Sequence, residues 1–201
     1  MLKDIVRSSS ATIAEIAHAV DALDHAARVA QVRTLGRRDQ ARLFEKAADA
    51  AALDAAHFVP DASSLRPVHH EGWNTLPVGV AALKGFQKRF ARPEDGSGRL
   101  FGYNEGATRG LLGPGYFVAY DCQDHATWSG RGSWVVDYFQ VPDGPVPDGW
   151  PVVKPNSKGL QVLVYNGTRD FMRRVSTTMS IGAAYKGETA LHNYFVLVRE
   201  G

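Results

Sequence analysis

The composition of the chain changes abruptly near residues 60–64, and this change limits the folds that it can adopt. Before it, alanine is frequent and apolar residues recur at helical spacing. After it, glycine, proline and aromatic residues become frequent, and short apolar runs are separated by glycine turns. This order predicts an α+β protein in which residues 1–60 form a helical segment and residues 61–201 form a mainly antiparallel β domain.

About three helices are expected in the helical segment. Thr12 and Glu15 have the spacing of a capping box, which marks the start of the first helix. Asp24 is placed to cap the second, Gly36 to end it, and Asp39 to start the third. Because many positions are alanine, these helices bury little apolar volume by themselves. They need a partner surface, which is either the β domain or a second copy of the chain.

The remaining residues contain several short strand candidates. Residues 99–103, 116–122 and 133–141 are predicted strands, and residues 175–185 and 192–199 have the pattern of a closing hairpin. Residues 160–165 are a further short apolar candidate, whereas the proline-rich residues 142–155 indicate a loop. Residues 80–90 are ambiguous, because their apolar spacing fits a short helix that two glycines weaken. The pattern predicts a small antiparallel β-barrel or a strongly bent sheet with long loops.

Charge and cysteine content exclude several classes of function. The chain has 23 basic and 21 acidic residues, which is too balanced to predict binding to nucleic acid or an anionic membrane. A single cysteine, Cys122, excludes an intrachain disulfide and a cysteine-based metal site. The first residues lack the unbroken apolar run of a signal peptide, and nowhere do about 18 apolar residues follow one another. We therefore expect a soluble cytoplasmic protein that binds neither nucleic acid nor a membrane.

No motif defines a reaction, a metal site or a cofactor site. His69 and His70 are adjacent, and adjacent strand residues point to opposite faces, so we predict a polar loop rather than a metal site. Asp137 interrupts an apolar run, and alternation along the strand favours solvent exposure of its carboxylate. A nucleophile elbow and a phosphate-binding loop are both absent from the sequence. We predict no metal and no cofactor, and the sequence leaves open whether the protein is an enzyme.

Two basic clusters, at residues 84–92 and 169–174, form the candidate binding surface. The structural interpretation is a solvated face, or charges offset by acidic neighbours such as Asp170. The functional interpretation is that both clusters meet beside a tyrosine and an asparagine and bind a phosphate or carboxylate group. The residues predicted to bind the ligand are Tyr116, Asn104, Arg173, Arg174, Lys88 and Arg89.

Three functions fit these observations. Aromatic residues around glycine-rich loops favour binding over a purely structural role. The first hypothesis is therefore a non-catalytic module that binds an anionic small molecule or a protein partner. The alternatives are an enzyme acting on an anionic, phosphate- or nucleotide-bearing small molecule, and an assembly protein that forms a homo-oligomer through its N-terminal helices.

Overall fold

The computed structural model describes residues 1–75, 84–107 and 109–200, and in these it contains six α-helices and eight β-strands. The helices are α1 (Leu2–Arg7), α2 (Ile13–Asp21), α3 (His25–Arg33), α4 (Arg37–Lys46), α5 (Ala55–Phe58) and α6 (Arg109–Leu112). The strands are β1 (Val68–Asn74), β2 (Gly85–Ala91), β3 (Leu100–Glu105), β4 (Phe117–Asp121), β5 (Trp134–Asp137), β6 (Thr168–Arg174), β7 (Met179–Lys186) and β8 (Thr189–Arg199). Short 3-10 helices lie at Ala47–Asp49 and Gly159–Leu163.

The eight strands form a closed antiparallel barrel in which each strand pairs with the next one in the chain. Pairing of β8 with β1 closes the barrel, with His70 opposite Arg199. The predicted closing hairpin is formed by β7 and β8, in which Lys186 pairs with Thr189. The prediction of an α+β fold with a small antiparallel barrel is confirmed.

One end of the barrel is filled by apolar side chains. Phe90, Leu100 and Trp134 belong to a single buried cluster at this end. The segment that precedes the barrel plugs it, because Phe58 is part of the same cluster. His70 is also buried here, and its Nε2 donates to the Phe58 carbonyl oxygen at 3.0 Å. The remaining volume of the barrel is therefore confined to the opposite end.

The N-terminal helices pack on the outer surface of the barrel. Ile16, Val32 and Leu43 share one buried cluster with Ile181 of β7 and Val196 of β8. Because the inner and outer faces of a strand alternate, β7 and β8 contribute to this cluster and to the barrel interior at the same time. The barrel is thus the partner surface that the alanine-rich helices require. Self-association through the same helices stays a prediction.

The helix starts were predicted partly correctly. The Thr12 capping box and the Asp24 cap are both present. Five helices precede the barrel instead of about three, and Gly36 is the N-cap of α4 rather than the end of the preceding helix. Asp39 lies inside α4, where its carboxylate accepts from the Gly36 amide at 3.1 Å and from Arg7 Nε at 2.7 Å. It stabilises the start of α4 from its first turn instead of capping it.

Three segments differ from their predicted structure. Residues 68–74 form strand β1 rather than a polar loop, and His70 and Asn74 face the barrel interior while Trp73 packs on its outer surface. Residues 160–165 contain a 3-10 helix, which starts at Gly159 with a φ of +67°. Residues 85–91 form strand β2 rather than a helix. Residues 80–83 of that ambiguous segment lie outside the described residues.

Candidate functional site

The barrel contains a cavity of about 390 Å³ at the end opposite to the apolar plug. This volume lies within the range of roughly 300–1,000 Å³ that is usual for small-molecule sites. The ends of β1, β3, β5 and β7 and the starts of β2, β6 and β8 surround it, since neighbouring strands run in opposite directions. The wall is mainly apolar and aromatic, and it includes Phe86, Tyr165, Ala184, Tyr194 and Phe195.

Four buried polar side chains meet in this cavity, and we refer to Lys88, Asn104, Tyr138 and Asp170 as the Lys88 network. The Lys88 Nζ donates to Asn104 Oδ1 at 2.9 Å, lies 3.3 Å from Asp170 Oδ2, and contacts the Tyr138 hydroxyl. Tyr138 in turn donates to Asp170 Oδ2 at 3.3 Å. Lys88 therefore has one acceptor for each of the three donors of an ammonium group.

Strand alternation directs Lys88 into the barrel. Phe90, two positions after Lys88, belongs to the inner apolar cluster, and Phe86, two positions before it, packs against that cluster. The Lys88 Nζ lies 5.0 Å from the ring centroids of Phe117 and Phe195. These distances permit cation–π attraction while the rings exclude water from the amine.

Two glycines make room for the rings that border Lys88. A Cβ at Gly182 would lie 2.3 Å from the Phe195 ring, and one at Gly102 would lie 2.4 Å from the Phe117 ring. Real Cβ atoms do not approach aromatic carbons this closely, so a larger residue at either position displaces a ring. The glycines within β3 and β7 are thus a packing requirement of the cavity.

Burial changes the proton affinities within the Lys88 network. Desolvation lowers the pKa of Lys88 below its ordinary value, although Asp170 opposes this change. Desolvation also raises the pKa of Asp170, against the opposing effects of Lys88 and Tyr138. Desolvation thus favours the uncharged amine and the uncharged acid, whereas the attraction between the two groups favours the ion pair. Burial raises the pKa of Tyr138 well above its ordinary value, so its phenol stays protonated.

The mouth of the cavity combines one ion pair with exposed apolar side chains. Arg109 Nε lies 2.6 Å from Glu105 Oε1, and both residues line the cavity. Val164 and Leu191 also line it, and each is exposed to solvent by 39%. An apolar molecule therefore meets an apolar rim before it reaches the interior.

Two of the six predicted ligand-binding residues, Lys88 and Asn104, lie together in the cavity. The basic run around Lys88 is a strand, so its members alternate between the two faces of the sheet. Arg89 faces outward, where its guanidinium lies 5.8 Å from the centroid of the Tyr103 ring. The run is therefore not a continuous basic surface.

Tyr116 lies outside the cavity, in an aromatic cluster on the barrel exterior. Its ring centroid is 5.5 Å from that of Tyr103 and 6.3 Å from that of Trp150. Its hydroxyl donates to the Pro151 carbonyl oxygen at 2.5 Å. Tyr116 thus anchors the proline-rich loop to the barrel.

Arg173 and Arg174 are also outside the cavity, and both donate to backbone carbonyl oxygens. Arg173 reaches Phe44 at 2.7 Å, and Arg174 reaches Ala52 at 2.8 Å. They attach the helical segment and the residues that follow it to the barrel. The two basic clusters therefore do not meet in one anion site in this structure.

Sequence reasoning missed Tyr138 and Asp170 as members of the site. Tyr138 lies within the predicted strand at residues 133–141 and was not selected as a ligand-binding residue, and Asp170 was considered only as an acidic neighbour that offsets positive charge. Asp170 lies on the same face of β6 as the inward-facing Met172, two positions later. Residues 168–174 were not predicted as a strand, so the alternation that places Asp170 and Met172 on one face is seen only in the structure.

The expectation that Asp137 is exposed was wrong. Its side chain is buried on the outer face of β5, where it lies 3.2 Å from Arg169 Nε. The Tyr120 hydroxyl donates to Asp137 Oδ2 at 2.8 Å. A buried carboxylate with these partners is a structural contact, and it is separate from the cavity.

Within the described residues, no three His, Cys, Asp or Glu side chains are grouped so that they could hold a metal ion. In the same part of the chain, no helix is both long and apolar enough to cross a membrane. Comparisons with protein-family models, with curated proteins and with solved structures find no match. The function proposed below therefore depends on the chemistry of the cavity.

Proposed function

We propose that the barrel binds a small, mainly apolar molecule whose single polar group, a carbonyl or a hydroxyl, contacts the Lys88 network. The observation that carries this proposal is a cavity with mainly apolar walls into which four buried polar side chains converge. Such a combination is typical of sites where apolar area supplies affinity and a few polar groups fix orientation.

The charges in the cavity favour a neutral polar group over an anion. Lys88 already lies 3.3 Å from Asp170, and Arg109 lies 2.6 Å from Glu105. Because each of these two basic groups already has an acidic partner, an anionic ligand would enter a mainly apolar cavity with little to offset its desolvation, which is unfavourable. A carbonyl oxygen accepts a hydrogen bond from Lys88 or Tyr138 without adding charge. The anionic ligand expected from the sequence is therefore the less favoured alternative.

A matched series of ligands tests this proposal by thermal shift. The compounds 2-octanone, 1-octanol, octanoate and octane share one chain length and differ in their polar group. We expect 2-octanone and 1-octanol to raise Tm more than octane, because they hydrogen-bond to the network, and more than octanoate, because of charge. A cavity-filling variant, Ala184→Phe, should lose the response, since Ala184 lines the cavity.

The control for the cavity-filling variant is Ala30→Phe, which adds the same side chain at an exposed position of α3. It should respond to the ligands as the wild type does. Strongest stabilisation by octanoate would support the anionic ligand instead. No stabilisation by any compound, or an equal response in Ala184→Phe, would refute binding in the cavity.

A further inference from the structure

Lys88 is the one buried lysine among the described residues, and it faces the cavity. A lysine in water is ordinarily protonated at neutral pH, and in that form it reacts poorly with carbonyl groups. An amine held in an apolar pocket has a larger uncharged fraction, which is the nucleophilic form. Lys88 is therefore chemically distinct from the other lysines of this chain.

We propose that the Lys88 amine forms a reversible imine with an aldehyde or ketone held in the barrel cavity. This inference rests on the proposed function, because the carbonyl compound must first bind there. It adds a class of ligand, the carbonyl compounds, and a covalent step to that function.

The neighbours of Lys88 supply the proton transfers that imine formation needs. Asp170 Oδ2 lies 3.3 Å from the Lys88 Nζ, and the Tyr138 hydroxyl donates to the same carboxylate oxygen at 3.3 Å. Both groups are buried, so a proton moves among them without exchange with bulk water. An acid and a phenol beside a buried amine are the groups required for both halves of the reaction.

The step balances without an oxidant or a reductant. The lone pair of the Lys88 nitrogen forms a bond to the carbonyl carbon, and the carbonyl oxygen takes a proton from Asp170 or Tyr138. The nitrogen then returns a proton to the same pair of groups, which gives a neutral carbinolamine. The hydroxyl group takes a proton from the same pair of groups and leaves as water while the C=N bond forms, and the nitrogen then returns its remaining proton to them. The net products are one imine and one water molecule, and hydrolysis reverses the reaction.

Reductive trapping tests this inference with the whole 201-residue chain. We would incubate it with octanal and sodium cyanoborohydride at neutral pH and locate the added octyl group by intact mass and peptide mapping. We expect one octyl group per chain, on Lys88. Lys88 should be labelled faster than any exposed lysine, because the cavity holds the aldehyde beside this amine and desolvation favours its uncharged form.

Matched variants separate the imine from a structural role of Lys88. Lys88→Arg keeps the positive charge but cannot form an imine, so the mapped modification should disappear. Lys158→Arg changes an exposed lysine and should leave trapping at Lys88 unchanged. Asp170→Asn keeps the amine and removes the acid, so trapping should slow. If these cavity variants fail to fold, the peptide map of the wild type alone shows whether Lys88 is the labelled residue, and labelling elsewhere overturns the inference.

A parallel binding measurement with 1-octanol, which cannot form an imine, separates the two proposals. If 1-octanol binds in the cavity and competes with octanal for it, but octanal is not trapped at Lys88, the covalent inference is overturned and the binding function stands. If neither compound binds in the cavity, both are overturned. Equal labelling of Lys88 and the exposed lysines would also overturn the inference.

Discussion

Removing one member of the buried Lys88–Asp170 pair should destabilise the protein far more than removing both. The Lys88 Nζ and Asp170 Oδ2 are 3.3 Å apart, and both side chains are buried. At this distance and an effective dielectric constant of about 20, the attraction is about 5 kcal/mol before desolvation is counted. Lys88→Met or Asp170→Leu leaves the other member without its partner, and each should cost about 3–5 kcal/mol.

The double variant Lys88→Met plus Asp170→Leu should be close to the wild type in stability. It leaves no unpaired charge, and the Tyr138 hydroxyl can still donate to Asn104 Oδ1, which lies 3.4 Å away. Replacing a buried ion pair by apolar residues of similar size is commonly neutral or stabilising by about 1–4 kcal/mol. We therefore expect a coupling energy of several kcal/mol between the two positions.

The assay is urea denaturation followed by tryptophan fluorescence, with the slope of each transition compared to the wild type. Arg66→Met is a control, because Arg66 and Asp61 form an exposed ion pair whose loss should leave the free energy of unfolding almost unchanged. Single variants that cost less than about 1 kcal/mol, with a double variant equal to their sum, would refute the description of a tightly coupled pair.

Three further predictions follow from burial. Burial lowers the pKa of His57 to about 2 and that of His70 to about 3. Below a pH of about 6.5, these two histidines therefore bind protons in the unfolded chain but not in the folded protein. The free energy of unfolding should fall by roughly 4 kcal/mol between neutral pH and pH 5. Urea midpoints at the two pH values check this, and a midpoint that stays constant would contradict it; His70→Gln should show about half of the dependence. Burial raises the pKa of Cys122 to about 12, so iodoacetamide should alkylate it only after unfolding, and rapid labelling of the native protein would show otherwise. A fragment of residues 1–60 should show weak helicity by circular dichroism when dilute, because its apolar face loses the barrel; a cooperative thermal transition of the monomeric fragment would disprove this.

Local signals predicted most of the fold. Capping residues, glycine turns and apolar alternation depend on a few neighbouring residues. The cap at Thr12 and the closing hairpin were therefore predicted correctly. Strand β1 was missed because its side chains are mostly polar or aromatic, as in His69, His70 and Trp73, and lack the apolar alternation of a typical strand. Closure of the barrel depends on pairing between β1 and β8, which short-range patterns do not encode.

The site was less predictable because it depends on which face each residue occupies. Lys88 and Asn104 were selected for charge and polarity, and only the strand register shows that they share the barrel interior. Arg173 and Arg174 were selected on the same grounds, yet their partners are carbonyl oxygens of residues distant in sequence. Charge clusters in a sequence thus identify candidates, whereas the partner of each charge is set by long-range contacts.

The Lys88 network is a costly arrangement for a barrel interior, and this cost supports a functional role. The opposite end of the same barrel is filled by apolar residues such as Phe90 and Leu100, which need no partner. Four polar side chains at the cavity require mutual hydrogen bonds to offset their desolvation, and apolar residues there would serve stability at least as well. Departures from apolar packing in an otherwise consistent core are expected where binding or chemistry takes place. The double variant that preserves stability should therefore weaken the response to 2-octanone, because only Tyr138 and Asn104 of the network remain, and this result would separate the function of the network from its contribution to folding.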